Sequence, residues 1–385
     1  VKAQRLNRRT AVASLAVAAA LLLAACSSGS TAASGSGSGS GSSSSTYTAM
    51  LNTARQMVPA TFQGPTKPAK APAGIKIASI TCYSILEGCV IPADGVAKAA
   101  QAIGWQARTF DGGGTATTQN TQILNAVSWG AKVIVLVAIT PSAVQSGLQA
   151  AKNAGALIVS GSSALSTPNA TIAPQPGQIW PAFDVSPDYK NLGQHLAQWI
   201  IADSQGKANV GVYGDKEFDS INAQESGIVP ALQACTTCKS SAVKYFSATQ
   251  IANQLGPQTV SYVRSNPDVT YIYSAFDPPA AAQVQALQTA GLGRNIKIVS
   301  ALGNAQNLQF IKNGQVEAAD AAYDNNYMGF AIVDQSIRLL NKQPLIQPLG
   351  EGLPFQVLDK SNLPSNLNSW TAPYDYESKF IALWK

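Results

Sequence analysis

The sequence predicts an α/β protein made of two similar units, each a parallel sheet flanked by helices. Short β-rich apolar runs alternate with helix-period stretches across polar or glycine loops, the βαβ pattern that produces parallel sheets. The pattern stops in a Pro-rich passage, residues 168–187, and then restarts. About 310 residues follow residue 74, a length that usually divides into two domains.

The leader comes first. Lys2, Arg5, Arg8 and Arg9 precede an apolar stretch from Ala11 to Ala25, which is the pattern of a secretory signal peptide. The stretch falls short of the roughly 20 apolar residues a spanning helix needs. Leu23-Ala24-Ala25-Cys26 resembles the bacterial lipobox, so residues 1–25 are expected to be removed and Cys26 acylated. Two or more acyl chains give lasting attachment, which would place the protein on the extracellular face of a cell membrane, most naturally in a Gram-positive cell. Residues 26–74 read as a linker. Ser27 to Thr46 is almost wholly Ser, Gly, Ala and Thr, and Pro59, Pro65, Pro68 and Pro72 break the chain after one short helix from Ala49 to Val58. Folding is expected to start near Ile75.

The strands of the first unit are read at Ile75–Ile80, Trp105–Phe110, Val133–Ile139 and Leu157–Ser160. Helical spacing joins Val90, Ala93, Ala97, Ala100 and Ile103, then Ile123, Leu124 and Val127, then Val144 to Asn153 before Gly155. After the Pro-rich passage a helix runs through Leu192, Leu196, Trp199 and Ile200. Strands follow at Val210–Tyr213, Val243–Phe246, Val269–Phe276, Ile296–Ser300 and Val316–Tyr323. Asp277 before Pro278 reads as the start of the helix Ala280–Ala290, with Asp277 as its cap.

Removing residues 1–25 takes four of the 26 basic residues and none of the 20 acidic ones, leaving 22 minus 20, or +2. No basic stripe with interleaved aromatics remains, which argues against a nucleic-acid partner. Four further cysteines lie in two close pairs, Cys82 with Cys89 and Cys235 with Cys238. Export and the sequence separation favour two local disulfides. A Cys-x-x-Cys pair is also compatible with redox chemistry or half a zinc site, but no second such pair accompanies it. Nucleophile-elbow and phosphate-loop motifs are absent from the sequence, so no enzyme, cofactor or metal is expected. His195, the sole histidine, reads as a surface residue, and the acids of residues 215–219 as facing solvent. The three glycines of residues 112–114 read as a tight turn.

The run from Val133, "VIVLVAITPSAVQSGLQAAKNAGALIVSG", resembles the sugar-binding branch of the type I periplasmic binding proteins, the ribose-binding type. "SPDYKNLGQHLAQWI", "NPDVTYIYSAFDPPAAAQVQALQTAG" and "IKIVSALGNAQNLQFIKNGQVEAADAA" follow in the family's order. The resemblance covers most of residues 75–345. It implies two Rossmann-like lobes joined by a three-crossover hinge, residues 75–184 with about 325–352 forming one and 185–324 with about 353–385 the other. It also implies a monomer that closes on a small polar solute and delivers it to an ABC transporter permease, or alternatively presents it to a membrane receptor kinase.

In open α/β sheets ligands sit beyond the carboxyl ends of the strands. The candidate contacts are therefore Tyr83 and Ser84, where the family places sugar-stacking aromatics, with Asp111, Thr140, Ser160 and Ser162. From the second lobe come Glu217, Phe218, Asp219, Asn222, Asp277 and Asn304, with Asn325 and Asn326 at a crossover. Thr140 before Pro141 is also compatible with a plain helix cap. Three positions depart from the family's pattern: Gln224 stands where an Arg often precedes the glycine matching Gly227, Leu302 replaces a strand-end acid, and Ser162 falls where the ribose-binding type carries Arg. Buried charges of that kind match sugar hydroxyls. Their loss points away from common pentoses and hexoses, toward a modified sugar, a polyol or another neutral compound.

Overall fold

A computed structural model describes residues 41–166 and 170–385. The leader, Cys26 and the Ser/Gly run to residue 40 lie outside the described residues. None of the described helices is long and apolar enough to cross a membrane.

The first lobe is a sheet of five parallel strands, β1 (Lys76–Thr81), β2 (Gln106–Asp111), β3 (Val133–Val137), β4 (Leu157–Gly161) and β5 (Asp184–Val185), in the order β2-β1-β3-β4-β5. All five residues of β3 are buried, as expected of a strand covered on both faces. The N-terminal helix α1 (Gly41–Ala54) precedes this sheet, and α2 (Glu87–Ala102), α3 (Ala116–Trp129) and α4 (Gln145–Asn153) link its strands. Thr115 caps α3 by accepting from Thr118 N, and Gly130 closes it with φ 85°.

The second lobe carries α5 (Tyr189–Asp203), β6 (Asn209–Asp215), α6 (Asp219–Ala234), β7 (Lys239–Ser240), β8 (Lys244–Phe246), α7 (Gly256–Ser265), β9 (Tyr271–Ser274), α8 (Asp277–Thr289), β10 (Lys297–Leu302), α9 (Ala305–Lys312) and β11 (Glu317–Tyr323). Helix α10 (Asn325–Leu340) follows in chain order, then β12 (Phe355–Asp359) and α11 (Tyr376–Trp384). The sheet order is β12-β11-β10-β9-β6-β7, with β8 also on β6, and β12 runs antiparallel to β11.

Glycines set two close helix crossings. A Cβ on Gly227 of α6 would stand 2.0 Å from Lys190 O of α5, and one on Gly329 of α10 would stand 2.2 Å from Gly95 C of α2. The second crossing fastens α10, which follows a strand of the second lobe, to the first.

The chain passes between lobes at Ser186–Asp188, at Asp324 and through residues 341–354, the three passes of the expected hinge. Asp324 ties the middle pass down: its carboxylate accepts from Tyr327 N (2.9 Å) and Ala372 N (2.8 Å). A fourth pass, residues 360–375, carries α11 back onto α10, where Trp384 stacks on Phe330 at 5.9 Å. The C-terminal helix therefore packs on the first lobe, where the resemblance implied the second.

The segment expected to be a loose linker is also built into the fold from residue 41. Ala54 is fully buried against α5, and Arg55 meets Asp359 at 2.6 Å, with Trp199 Nε1 donating to the same carboxylate. Val58 and Phe355 exchange backbone hydrogen bonds. Phe62 packs on Tyr327, Tyr374 and Phe380. The prolines that argued against structure leave an extended strap, and the strap finds its hydrogen bonds on both lobes. It also covers His195, which is buried with its ring beside Ala54 O and edge-on to Phe355 rather than on the surface.

Candidate functional site

The parallel strands of both sheets end toward one cleft, and its walls come from the first turns after the strands. Helix α2 begins just beyond β1, and the bridge between Cys82 and Cys89 (Cα–Cα 5.6 Å) pins the loop that carries Tyr83, Ser84 and Leu86. A second bridge joins Cys235 to Cys238, away from the cleft at the end of α6.

Two adjoining cavities occupy the cleft. The smaller one, of about 40 Å³, is lined by Leu86, Gly88 and Cys89 of α2 and its approach, Ala138 after β3, Ser162 after β4, Phe218, Ser220 and Ile221 around the start of α6, Phe276 after β9, Leu302 of β10 and Tyr323 of β11. The larger one, of about 160 Å³, is lined among others by Tyr83, Gln119, Thr140 and Glu217, and shares Leu86, Ala138 and Phe218 with the first. Phe218 and Phe276 meet edge to face at 6.0 Å and form an aromatic wall. The Tyr83 ring lies against the glycine turn, where a Cβ on Gly114 (φ +70°) would come within 3.2 Å of it.

The lobes touch across this cleft. Thr140 Oγ1 donates to Asp219 Oδ2 at 2.7 Å, and a Cβ on Gly88 would stand 3.1 Å from Leu302 Cδ2. Thr140 precedes a short 3-10 turn but makes no capping hydrogen bond there, so its hydroxyl serves the contact between lobes. Burial pushes the Asp219 carboxyl up, against the opposing effect of the Thr140 and Asn222 hydrogen bonds.

Of the residues singled out from the sequence, Tyr83, Thr140, Ser162, Glu217 and Phe218 line the cavities, and Asp219 makes the contact between lobes. Ser84 and Asp111 bind each other at the exposed rim, Ser84 Oγ donating to Asp111 Oδ2 at 2.6 Å. Ser160 is fully buried in β4, and Asn222 lies further along α6, half-buried. Asn325 is buried at the hinge, with Asn326 bound to Tyr376 and Glu377. The acids of residues 215–219 do not all face solvent: Asp215 and Asp219 are buried and only Glu217 is exposed. Asp215 is driven up to about 7 by burial, with Glu217 and Glu225 nearby.

Asp277 and Asn304 are buried, and neither lines the two cavities. Asp277 does not cap α8 with its side chain; its carboxylate accepts from Ser300 Oγ (2.7 Å) and Asn304 N (2.7 Å). Glu317 and Asp320 complete a buried trio whose oxygens lie within 4.8 Å of one another. Burial pushes all three carboxyls up, and repulsion from Asp320 adds to it at Asp277 and Glu317. The donor set does not suit a cation, because Ser300, Asn307, Gly303 N and Asn304 N all direct protons at these oxygens. Ser300 has one proton for two carboxylates, Asp277 and Glu317, which fits a trio that retains protons. Its effect is to clamp the turn after β10, where Leu302 is held at φ 139°, a conformation that persists only where the surroundings enforce it.

Leu86, Ile221, Phe276 and Tyr323 were not singled out from the sequence. Each sits at or just beyond a strand's carboxyl end or on the first turn of the helix that follows, so position was the available signal and residue type concealed it.

The periplasmic binding protein domain matches residues 89–344. No curated protein matches the chain. Among solved structures, an ABC transporter solute-binding protein from Agrobacterium vitis bound with α-D-tagatopyranose is similar at TM-score 0.68 and 18% identity, over 76% of this chain and 97% of that one. One from Mycobacterium smegmatis with bound glycerol gives 0.66 and 18%, over 78% and 100%. A methylthioribose transporter's solute-binding protein from Thermotoga lettingae gives 0.64 and 16%, over 77% and 89%. With the domain matched over two thirds of its length and the two-lobed fold shared, the chain belongs to the periplasmic binding protein family, in the type I form used by its sugar-binding branch.

Proposed function

We propose that the protein is the extracytoplasmic solute receptor of an ABC importer. It captures a small neutral solute, of sugar or polyol size, between its lobes and hands it to a permease by opening and closing about the hinge. The cleft carries this reading: walls from both sheets converge at the carboxyl ends of the strands, and the lobes are joined by strands of chain that permit hinge closure. The solutes named in the similar structures, a sugar and a polyol among them, support the size class. In this reading Cys26 is the lipid anchor, the Ser/Gly run to residue 40 is the tether, and the receptor works as a monomer at the outer face of the membrane.

A panel of sugars, polyols, amino acids and other small metabolites, read by thermal shift, tests it. A ligand at 100 times its dissociation constant stabilises a protein by about 2.7 kcal/mol, so one class should raise the melting temperature clearly. A panel with no effect on melting contradicts solute capture. Co-isolation with a receptor kinase instead of a permease and ATPase would favour a sensory role for the same cleft.

A further inference from the structure

The loop from Cys82 to Cys89 builds part of the first-lobe wall of the cleft, and a disulfide joins its two ends. Cys82 and Tyr83 line the larger cavity, Gly88 and Cys89 the smaller, and Leu86 both. The same loop meets the second lobe, since a Cβ on Gly88 would stand 3.1 Å from Leu302 Cδ2. Besides the bridge, residues 83–86 are held by a turn hydrogen bond from Leu86 N to Tyr83 O (3.1 Å), by the exposed Ser84–Asp111 contact and by the Tyr83 ring against Gly114. Ile85 among them is 66% exposed. Helix α2 is fixed further along, where Gly95 crosses Gly329 of α10. The bridge therefore bears on the cleft wall more than on the helix behind it.

Resting on the receptor reading above, we infer that the Cys82–Cys89 bridge is a positioning element of the solute site and is coupled to its occupancy. The oxidised loop is preorganised for closure. A reduced loop must be ordered when the lobes close on a solute, and that entropy is lost from the binding free energy. Such coupling is reciprocal, so a bound solute favours the oxidised bridge by the same factor. The Cys235–Cys238 bridge is half-buried at the end of α6, lines neither cavity and lies outside the coupling. Solute capture thus depends on oxidation of one bridge and not of the other.

Titration calorimetry with D-tagatose, glycerol and methylthioribose tests this on the purified protein, oxidised and after reduction by dithiothreitol. In that step two electrons and two protons pass from the dithiol to the bridge, leaving two protein thiols and the cyclic disulfide of the reagent. A probe that binds should lose about tenfold in affinity on reduction, and reoxidation should restore it. Cys82→Ser with Cys89→Ser should bind like the reduced protein, and Cys235→Ser with Cys238→Ser like the oxidised one. Should the first pair fail to fold, the reduced wild-type protein carries the comparison, and loss of its fold on reduction overturns the positioning role. In a buffer of reduced and oxidised dithiothreitol, alkylation and peptide mass spectrometry read each bridge. Saturating probe should lower the reduced-to-oxidised ratio at Cys82–Cys89 by the same factor and leave Cys235–Cys238 unmoved. Unchanged affinity on reduction, or a probe that shifts both bridges alike, overturns the coupling and leaves the receptor reading standing. Where no probe binds, native mass spectrometry of the protein as purified decides: a retained solute lost on reduction supports the coupling, and one kept equally overturns it. No probe binding and no retained solute would remove the receptor reading and this inference with it.

Discussion

Thr140 of the first lobe donates a 2.7 Å hydrogen bond to the carboxylate of Asp219 in the second, directly across the mouth of the cleft. Hydrogen bonds to charged groups contribute about 1.5–3 kcal/mol, and this one exists only when the lobes meet. Asp219→Ala should therefore weaken solute binding by about tenfold while leaving the unliganded melting temperature nearly unchanged. Titration calorimetry paired with thermal melts checks both halves.

The helix crossings at Gly227 and Gly329 tolerate no side chain. With backbone only 2.0 Å and 2.2 Å from the respective Cβ positions, Gly227→Ala or Gly329→Ala must push two helices apart, and overpacking of this kind costs about 1–3 kcal/mol. Chemical denaturation should show that loss in each variant. A far smaller loss would mean that the helices cross with more slack than described.

Helix α1 and the strap after it, residues 55–74, contribute to stability. Removing residues 1–74 strips Arg55 from Asp359 and Phe62 from Tyr327, Tyr374 and Phe380, and it uncovers His195. The shortened protein should melt several degrees below one lacking only residues 1–40. Equal melting temperatures would restore the view of the strap as a spacer.

Acidification should stabilise the fold. Asp215 is raised from 3.8 to about 7 by burial, and the Asp277, Glu317 and Asp320 carboxyls are raised in the same direction. Groups raised in the folded state contribute stability that is complete below their unfolded pKa and is lost as pH rises through the folded one. The melting temperature should thus fall between pH 5 and pH 8, and Asp215→Asn should flatten part of that slope. Melts across this range, with and without the substitution, read it directly.

The sequence revealed the parallel strands well because they are covered on both faces and read as unbroken apolar runs, as Val133–Val137 does. It concealed β12, whose FQVLD follows a long loop and is recognisable only by its antiparallel register on β11. The resemblance put α11 with the second lobe, and contacts that no sequence pattern announces, Trp384 and Phe380 on Phe330 and Tyr376 on Tyr327, hold it to α10 of the first. In the cleft, Tyr83, Thr140, Glu217 and Phe218 were legible as strand-end residues. Phe276 and Leu86 stay hidden because an apolar side chain near a strand end reads equally well as core. Asp277 has the right position and the wrong direction, since its carboxylate turns to Ser300 Oγ and Asn304 N among the buried acids instead of outward to the cleft.

Solute capture between the lobes is tested most directly by a crystal structure of the protein with a solute that raises its melting temperature. Density should lie in the cleft, touching Leu86 or Tyr83 on one side and Phe218 or Phe276 on the other. A solute bound on the outer surface of a single lobe, with the cleft unfilled, would contradict capture by closure.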